Sequence, residues 1–112
     1  DTPGHAPGGN SWSWKSCEAG KCVTMVFADS LTAVSEPGYR FSDHPTYLKA
    51  FRQSIAKIRA LDCDILVSAH PDSSELFEKV SAGSLVDANS CRKYADAADA
   101  RLDKRLAKEV AQ

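Results

Sequence analysis

Three histidines carry the side chains best suited to chemistry near neutral pH, since imidazole titrates there and commonly binds metals. Two of them stand in similar settings. His5 lies within Thr2-Pro3-Gly4-His5-Ala6-Pro7-Gly8-Gly9-Asn10-Ser11-Trp12, and His70 directly precedes Pro71 in Ala69-His70-Pro71-Asp72. Proline holds φ at about −65° and glycine admits conformations closed to other residues, so the first run predicts a stiffened loop that aims a side chain. The same features also fit a plain turn carrying a polar surface histidine. His70 follows the apolar run Ile65–Ser68, and in layered α/β proteins ligands collect beyond the carboxyl ends of strands. His44 opens an amphipathic stretch and is expected at the surface or at a helix cap.

Two imidazoles are not a catalytic zinc site, which generally takes three protein ligands and a water. The chain has no His-x-His pair, no Glu-x-x-His pair and no spaced cysteine set. Asp29 and Asp72 are possible further ligands, although nothing in their spacing requires that role. A Gly-x-Ser-x-Gly elbow, a Ser-x-x-Lys pair and a glycine-rich phosphate loop are also missing. Taken alone, these residues present part of a metal site and do not complete a two-metal one.

Four cysteines, Cys17, Cys22, Cys63 and Cys91, allow three disulfide pairings. A short glycine-containing turn favours Cys17–Cys22, which would leave Cys63–Cys91. A four-cysteine zinc site is the alternative, but neither remote cysteine has a second one nearby. Two disulfides predict an exported protein. With charged residues at 26%, hydrophobic ones at 43% and a net charge of −1, the composition is that of a soluble globular domain. That charge offers no field to recruit nucleic acid or an anionic membrane, and no apolar run reaches the roughly 20 residues that cross a bilayer. No basic start leads into an apolar stretch, so an export signal is expected to have been removed or never to have been part of these residues.

The elements that must position the histidines follow from periodicity. Ser11–Lys15 alternates polar and aromatic residues and predicts a strand with one buried face. Cys22–Ala28 is β-branched and apolar, the second strand of a hairpin, dense enough to predict cover on both faces. Asp29-Ser30-Leu31-Thr32 closes it, and Ser35–Tyr39 is a loop. A helix follows, capped by Ser42 or Asp43, with Pro45 in its first turn and Leu48, Phe51, Ile55 and Ile58 on one face. Lys49, Arg52, Lys57 and Arg59 fall largely on its solvated side. Leu61–Ser68 reads as a connector and a buried strand. A brief helical piece is expected over Ser74–Val80. The last helix starts after Asp87 or Asn89, with Tyr94, Ala98, Leu102, Leu106 and Val110 as a docking stripe and its charges on a solvated face. Helix, connector and strand in this order predict layers packed on a sheet, an α/β fold.

Three stretches carry a family resemblance: the opening run from Thr2 to Trp12, Ala28-Asp29-Ser30-Leu31, and Cys63-Asp64-Ile65-Leu66-Val67-Ser68-Ala69-His70-Pro71-Asp72. Together with the closing Tyr94-Ala95-Asp96-Ala97 helix they resemble, in order and over essentially all 112 residues, the C-terminal half of a class B metallo-β-lactamase of the third subclass. The resemblance implies half of an αββα sandwich: hairpin, helix, buried strand and C-terminal helix, with residues 1–112 as half of one domain. It implies two zinc ions, with His5 completing the three-histidine site of the first and His70 a ligand of the second. It implies that Ser30 and Thr32 engage the carboxylate of a β-lactam antibiotic, and that zinc-bound hydroxide opens the lactam ring. Cys63–Cys91 would be the subclass disulfide, Cys17–Cys22 an additional one, and the location periplasmic or secreted.

The chain departs from the pattern at Ala6, where threonine is frequent, and at Ala69, where proline is common. The larger departure is that the family's His-x-His-x-Asp-His motif is not among these residues. Four of six metal ligands would come from an N-terminal half on another segment, so the chain by itself carries no catalytic residue and is expected to be inactive. Two other readings remain: a non-catalytic secreted fragment or binding module with the half-fold, and a metallohydrolase of the same superfamily with another substrate.

Overall fold

A computed structural model describes residues 1–4, 8–33, 38–68, 79 and 86–110. The expected helical piece over Ser74–Val80 lies outside the described residues, apart from Lys79, which is helical. Strands β1 (Trp12–Glu18) and β2 (Lys21–Ala28) form an antiparallel hairpin, and β3 (Ile65–Ser68) lies parallel to β2, giving the order β1-β2-β3. Ala19 and Gly20 both take positive φ, 50° and 80°. That is the geometry of a two-residue turn whose twist matches a hairpin, and glycine makes it accessible. Directly beneath it Cys17 faces Cys22, and the two are joined by a disulfide with Cα atoms 4.0 Å apart. Cys63 and Cys91 form the second disulfide, so both expected pairs are present and all four thiols are committed.

Helices α1 (Pro45–Arg59) and α2 (Ser90–Val110) pack on one face of the sheet. Side chains alternate across a strand, so Val26, Ala28 and Leu66 point to that face. They are buried with Phe51, Ile55 and Ile58 of α1 and Tyr94, Ala95, Ala98 and Leu102 of α2. Cys63 and Cys91 tie the strand layer to the start of α2 inside this core, at 5% and 1% exposure. Arg52 and Arg59 of α1 pair with Asp96, Asp99 and Asp103 of α2, so charges on the solvated sides of the two helices also meet along one helix–helix seam.

Three expectations need correction. Serine and aspartate do not cap α1: Phe41–Asp43 form a 3₁₀ turn and exposed His44 takes the cap position with no side-chain cap bond, its ring stacked on Tyr39 at 4.6 Å. The α2 stripe ends early. Val110 is 81% exposed, and the buried residue of that turn is Glu109, which accepts hydrogen bonds from the Phe41 and Ser42 amides at 3.0 Å. Finally, β1 has no buried face within this chain; Trp12 and Trp14 are 67% and 45% exposed. The register puts Trp12 opposite Phe27 and Trp14 opposite Met25, with Ile65 and Val67 next along the sheet. These side chains make up the outer face, apolar and open, so β2 and β3 are covered fully on one side only.

Candidate functional site

The strand register decides where the candidate segments lie. Ala28 at the end of β2 pairs with Ser68 at the end of β3, and Trp12 at the start of β1 pairs with Phe27. The 2–11 loop therefore enters the sheet at the same end from which residues 29–32 and the chain after Ser68 depart. That end is the carboxyl edge of the two parallel strands, where such sheets collect ligands. His5 and His70 themselves lie outside the described residues, as does Asp72; the segments that lead to the two histidines, 1–4 and 65–68, are described.

The flanks of His5 are held from two sides. On the sheet side the loop is closed on itself: the Thr2 amide donates to the Gly9 carbonyl at 2.9 Å, and the Thr2 and Ser11 hydroxyls bond at 2.7 Å. Thr2, 4% exposed, is a buried polar residue whose partners are thereby supplied. The Ser11 hydroxyl in turn accepts the Asp29 amide (2.9 Å). Asp29, considered above as a possible zinc ligand, has another task. One carboxylate oxygen accepts the Asn10 amide at 3.1 Å and the other accepts the Ser30 amide at 2.8 Å. A single carboxylate thus fastens the loop that bears His5 to the segment that bears Ser30 and Thr32.

On the helix side, the Tyr47 hydroxyl donates to the Gly4 carbonyl at 2.5 Å and the Ser54 hydroxyl to the Pro3 carbonyl at 2.6 Å. Burial raises the pKa of Tyr47, with Tyr39 nearby adding to the effect, so its hydroxyl keeps its proton as a donor across the ordinary range. Gly4 is glycine because of close approach. A Cβ there would lie 2.7 Å from Leu31 Cδ2 and 3.5 Å from the Phe51 ring. Leu31, fully buried, separates Ser30 from Thr32, which are each half-buried at the sheet end. One leucine therefore anchors the Ser30–Thr32 segment while packing against the loop of His5.

Helix α2 secures the other end of this segment. Tyr94, buried in the core, donates to the Asp29 carbonyl at 2.8 Å, and burial pushes its pKa up, keeping the phenol protonated. Arg105 donates to the Tyr39 carbonyl at 2.7 Å. Sequence reasoning singled out Ser30 and Thr32 but missed Tyr47 and Ser54. Their signal is spacing: Tyr47, Phe51, Ser54 and Ile58 recur every three or four residues, so two hydroxyls sit within the apolar stripe of α1.

Among the described residues, no group of three or more His, Cys, Asp or Glu side chains could hold a metal ion. The cysteines are withdrawn into disulfides and Asp29 is taken up by backbone amides.

No protein-family model matches the chain. Solved structures do. SMB-1, a metallo-β-lactamase solved with mercaptoacetic acid and with 2-mercaptoethanesulfonate, is 46% identical over 96% of this chain, with a TM-score of 0.91. MIM-1 from Novosphingobium pentaromativorans is 45% identical over 98% of it at 0.91. MEM-A1, a subclass B3 metallo-β-lactamase from a soil metagenome library, is 44% identical over 98% at 0.92. The chain spans 44%, 41% and 45% of those three proteins. The resemblance read from the motifs thus holds in both sequence and fold: a small sheet with two helices, matching less than half of a subclass B3 metallo-β-lactamase.

Proposed function

We propose that this chain, which matches part of the subclass B3 metallo-β-lactamases over nearly its whole length, is the C-terminal half of a two-zinc hydrolase that opens β-lactam rings. The observation that carries the reading is the register just described. It brings the loop of His5, the Ser30–Thr32 segment and the strand leading to His70 to one end of the sheet. His5 is a ligand of one zinc ion and His70 of the other. The four remaining ligands come from the N-terminal half, the counterpart of the part of SMB-1 that the chain does not match. When bound, zinc supplies an activated water and polarises the lactam carbonyl.

This chain's own residues bind and orient. The Ser30 and Thr32 hydroxyls receive the substrate carboxylate, directly or through water, held at the sheet end by Asp29, Leu31 and Tyr94. The ligands of SMB-1 support this division of labour, since each joins a thiol to an anionic group. A thiolate is a good zinc ligand, and the attached anion carries the same charge as a substrate carboxylate. The outer sheet face, with Trp12, Trp14, Met25, Phe27, Ile65 and Val67, receives the sheet of the N-terminal half, completing the αββα sandwich. Two disulfides fit a protein that works outside the cytoplasm, and the proposed enzyme is periplasmic or secreted.

The same open apolar face favours a second reading, a module that self-associates without catalysis. Producing the chain together with the unmatched part of SMB-1 separates the two. Zinc-dependent nitrocefin hydrolysis in the complemented protein, absent from either part alone, supports the enzyme. A reassembled, zinc-loaded complex that opens no lactam ring would point to another substrate or to the binding role.

A further inference from the structure

The geometry points to Tyr47 and Ser54 as positioning residues for the zinc ligand His5, an inference that rests on the ligand role proposed above. The Gly4 carbonyl belongs to the peptide group joining Gly4 to His5. That group is planar, so gripping its oxygen fixes the plane from which His5 departs. Tyr47 grips that oxygen at 2.5 Å. Ser54, fully buried, grips the preceding carbonyl of Pro3 at 2.6 Å, the shorter of its two contacts, with the Ala50 carbonyl at 3.0 Å. Phe51 lies between them on α1 and packs beneath Gly4. A rigid helix thus holds two consecutive carbonyls by directed bonds and the intervening surface by contact. Backbone held this way turns a loop histidine into a preorganised ligand, and groups that orient a ligand typically change metal affinity by roughly 10- to 100-fold when removed.

The test uses the complemented protein with Tyr47→Phe, Ser54→Ala, Ser54→Thr and His5→Ala. Zinc affinity is read by competition with a chelator, cobalt coordination by the visible spectrum, and folding by thermal melting. Tyr47→Phe and Ser54→Ala are expected to weaken one of the two ions about tenfold or more and to shift its cobalt bands. Ser54→Thr, which keeps the hydroxyl, is expected to restore most of that affinity. If Tyr47→Phe does not fold, the Ser54→Ala and Ser54→Thr pair decides by the same affinity difference. A purely structural role would lower the melting temperature and leave the folded protein's zinc affinity and cobalt bands unchanged, and that result overturns the inference. His5→Ala separates the two levels. If it abolishes one ion while Tyr47→Phe and Ser54→Ala change nothing, only the positioning role fails. If His5→Ala leaves both ions bound as before, the ligand assignment fails and the positioning role with it.

Discussion

Ser30, Thr32 and Glu109 are side chains whose work can be measured singly. On the proposed role, replacing Ser30 or Thr32 by alanine in the complemented protein removes one hydrogen bond to the substrate carboxylate, a charged acceptor, worth about 1.5–3 kcal/mol. The expected outcome is a roughly ten- to hundredfold rise in KM with kcat and zinc content little changed, read from nitrocefin kinetics. Glu109 acts on stability instead. Burial alone would raise its pKa, but the Ser42 and Phe41 amides, the Ser42 hydroxyl and the Arg105 guanidinium hold it down to about 2. The unfolded chain, with an ordinary carboxyl pKa of 4.5, then binds the proton first as pH falls. Stability from Glu109 is therefore fully present above pH 4.5 and is lost as pH drops toward and through about 2. Glu109→Gln should flatten that part of the melting-temperature profile and cost about 2 kcal/mol at neutral pH. An unchanged melting temperature at pH 7 would contradict the role. Sequence could not reveal Glu109, because its partners are backbone amides some 68 positions away and Val110 offered the more apolar choice for the stripe.

At the scale of elements, the fold was legible wherever a hydrophobic period ran unbroken. Phe51, Ile55 and Ile58 on α1 and Tyr94, Ala98 and Leu102 on α2 are the buried positions their spacing predicts. The hairpin was legible from Ala19-Gly20 between two cysteines. What misled was local context standing in for tertiary context. Ser42 looks like a cap, yet it gives its amide and hydroxyl to Glu109; Asp99 looks solvated, yet it is part-buried between Arg52 and Arg59 at the helix seam. Two element-scale experiments follow. Gly4→Ala forces a Cβ toward Leu31 and should destabilise the complemented protein by about 1–3 kcal/mol, seen in denaturant melts. Removing Cys63–Cys91 should cost more than removing Cys17–Cys22. Loop entropy gives about 3.5 against about 2 kcal/mol, and the former pair is also buried in the core.

For the whole molecule, the sheet is covered on the side of the helices and open on the other, where Trp12 and Trp14 are exposed and Met25 and Phe27 half-buried. Apolar faces of this kind mark association. The chain alone should therefore run larger than a monomer in size exclusion with light scattering, and Trp12→Lys with Trp14→Lys should return it to monomer while abolishing complementation. The family resemblance, the α/β class and the segments that converge at the sheet end were all legible in motifs; the open face was legible only through the resemblance to half a domain, because alternation in Ser11–Lys15 reads the same whether the cover comes from this chain or another. The most direct measurement is nitrocefin hydrolysis by the chain mixed with the unmatched part of SMB-1, with and without zinc. Turnover that requires both parts and zinc, and that vanishes on His5→Ala or His70→Ala together with bound metal, is the predicted result. An active, zinc-loaded complex in which both substitutions leave rate and metal content intact would contradict it.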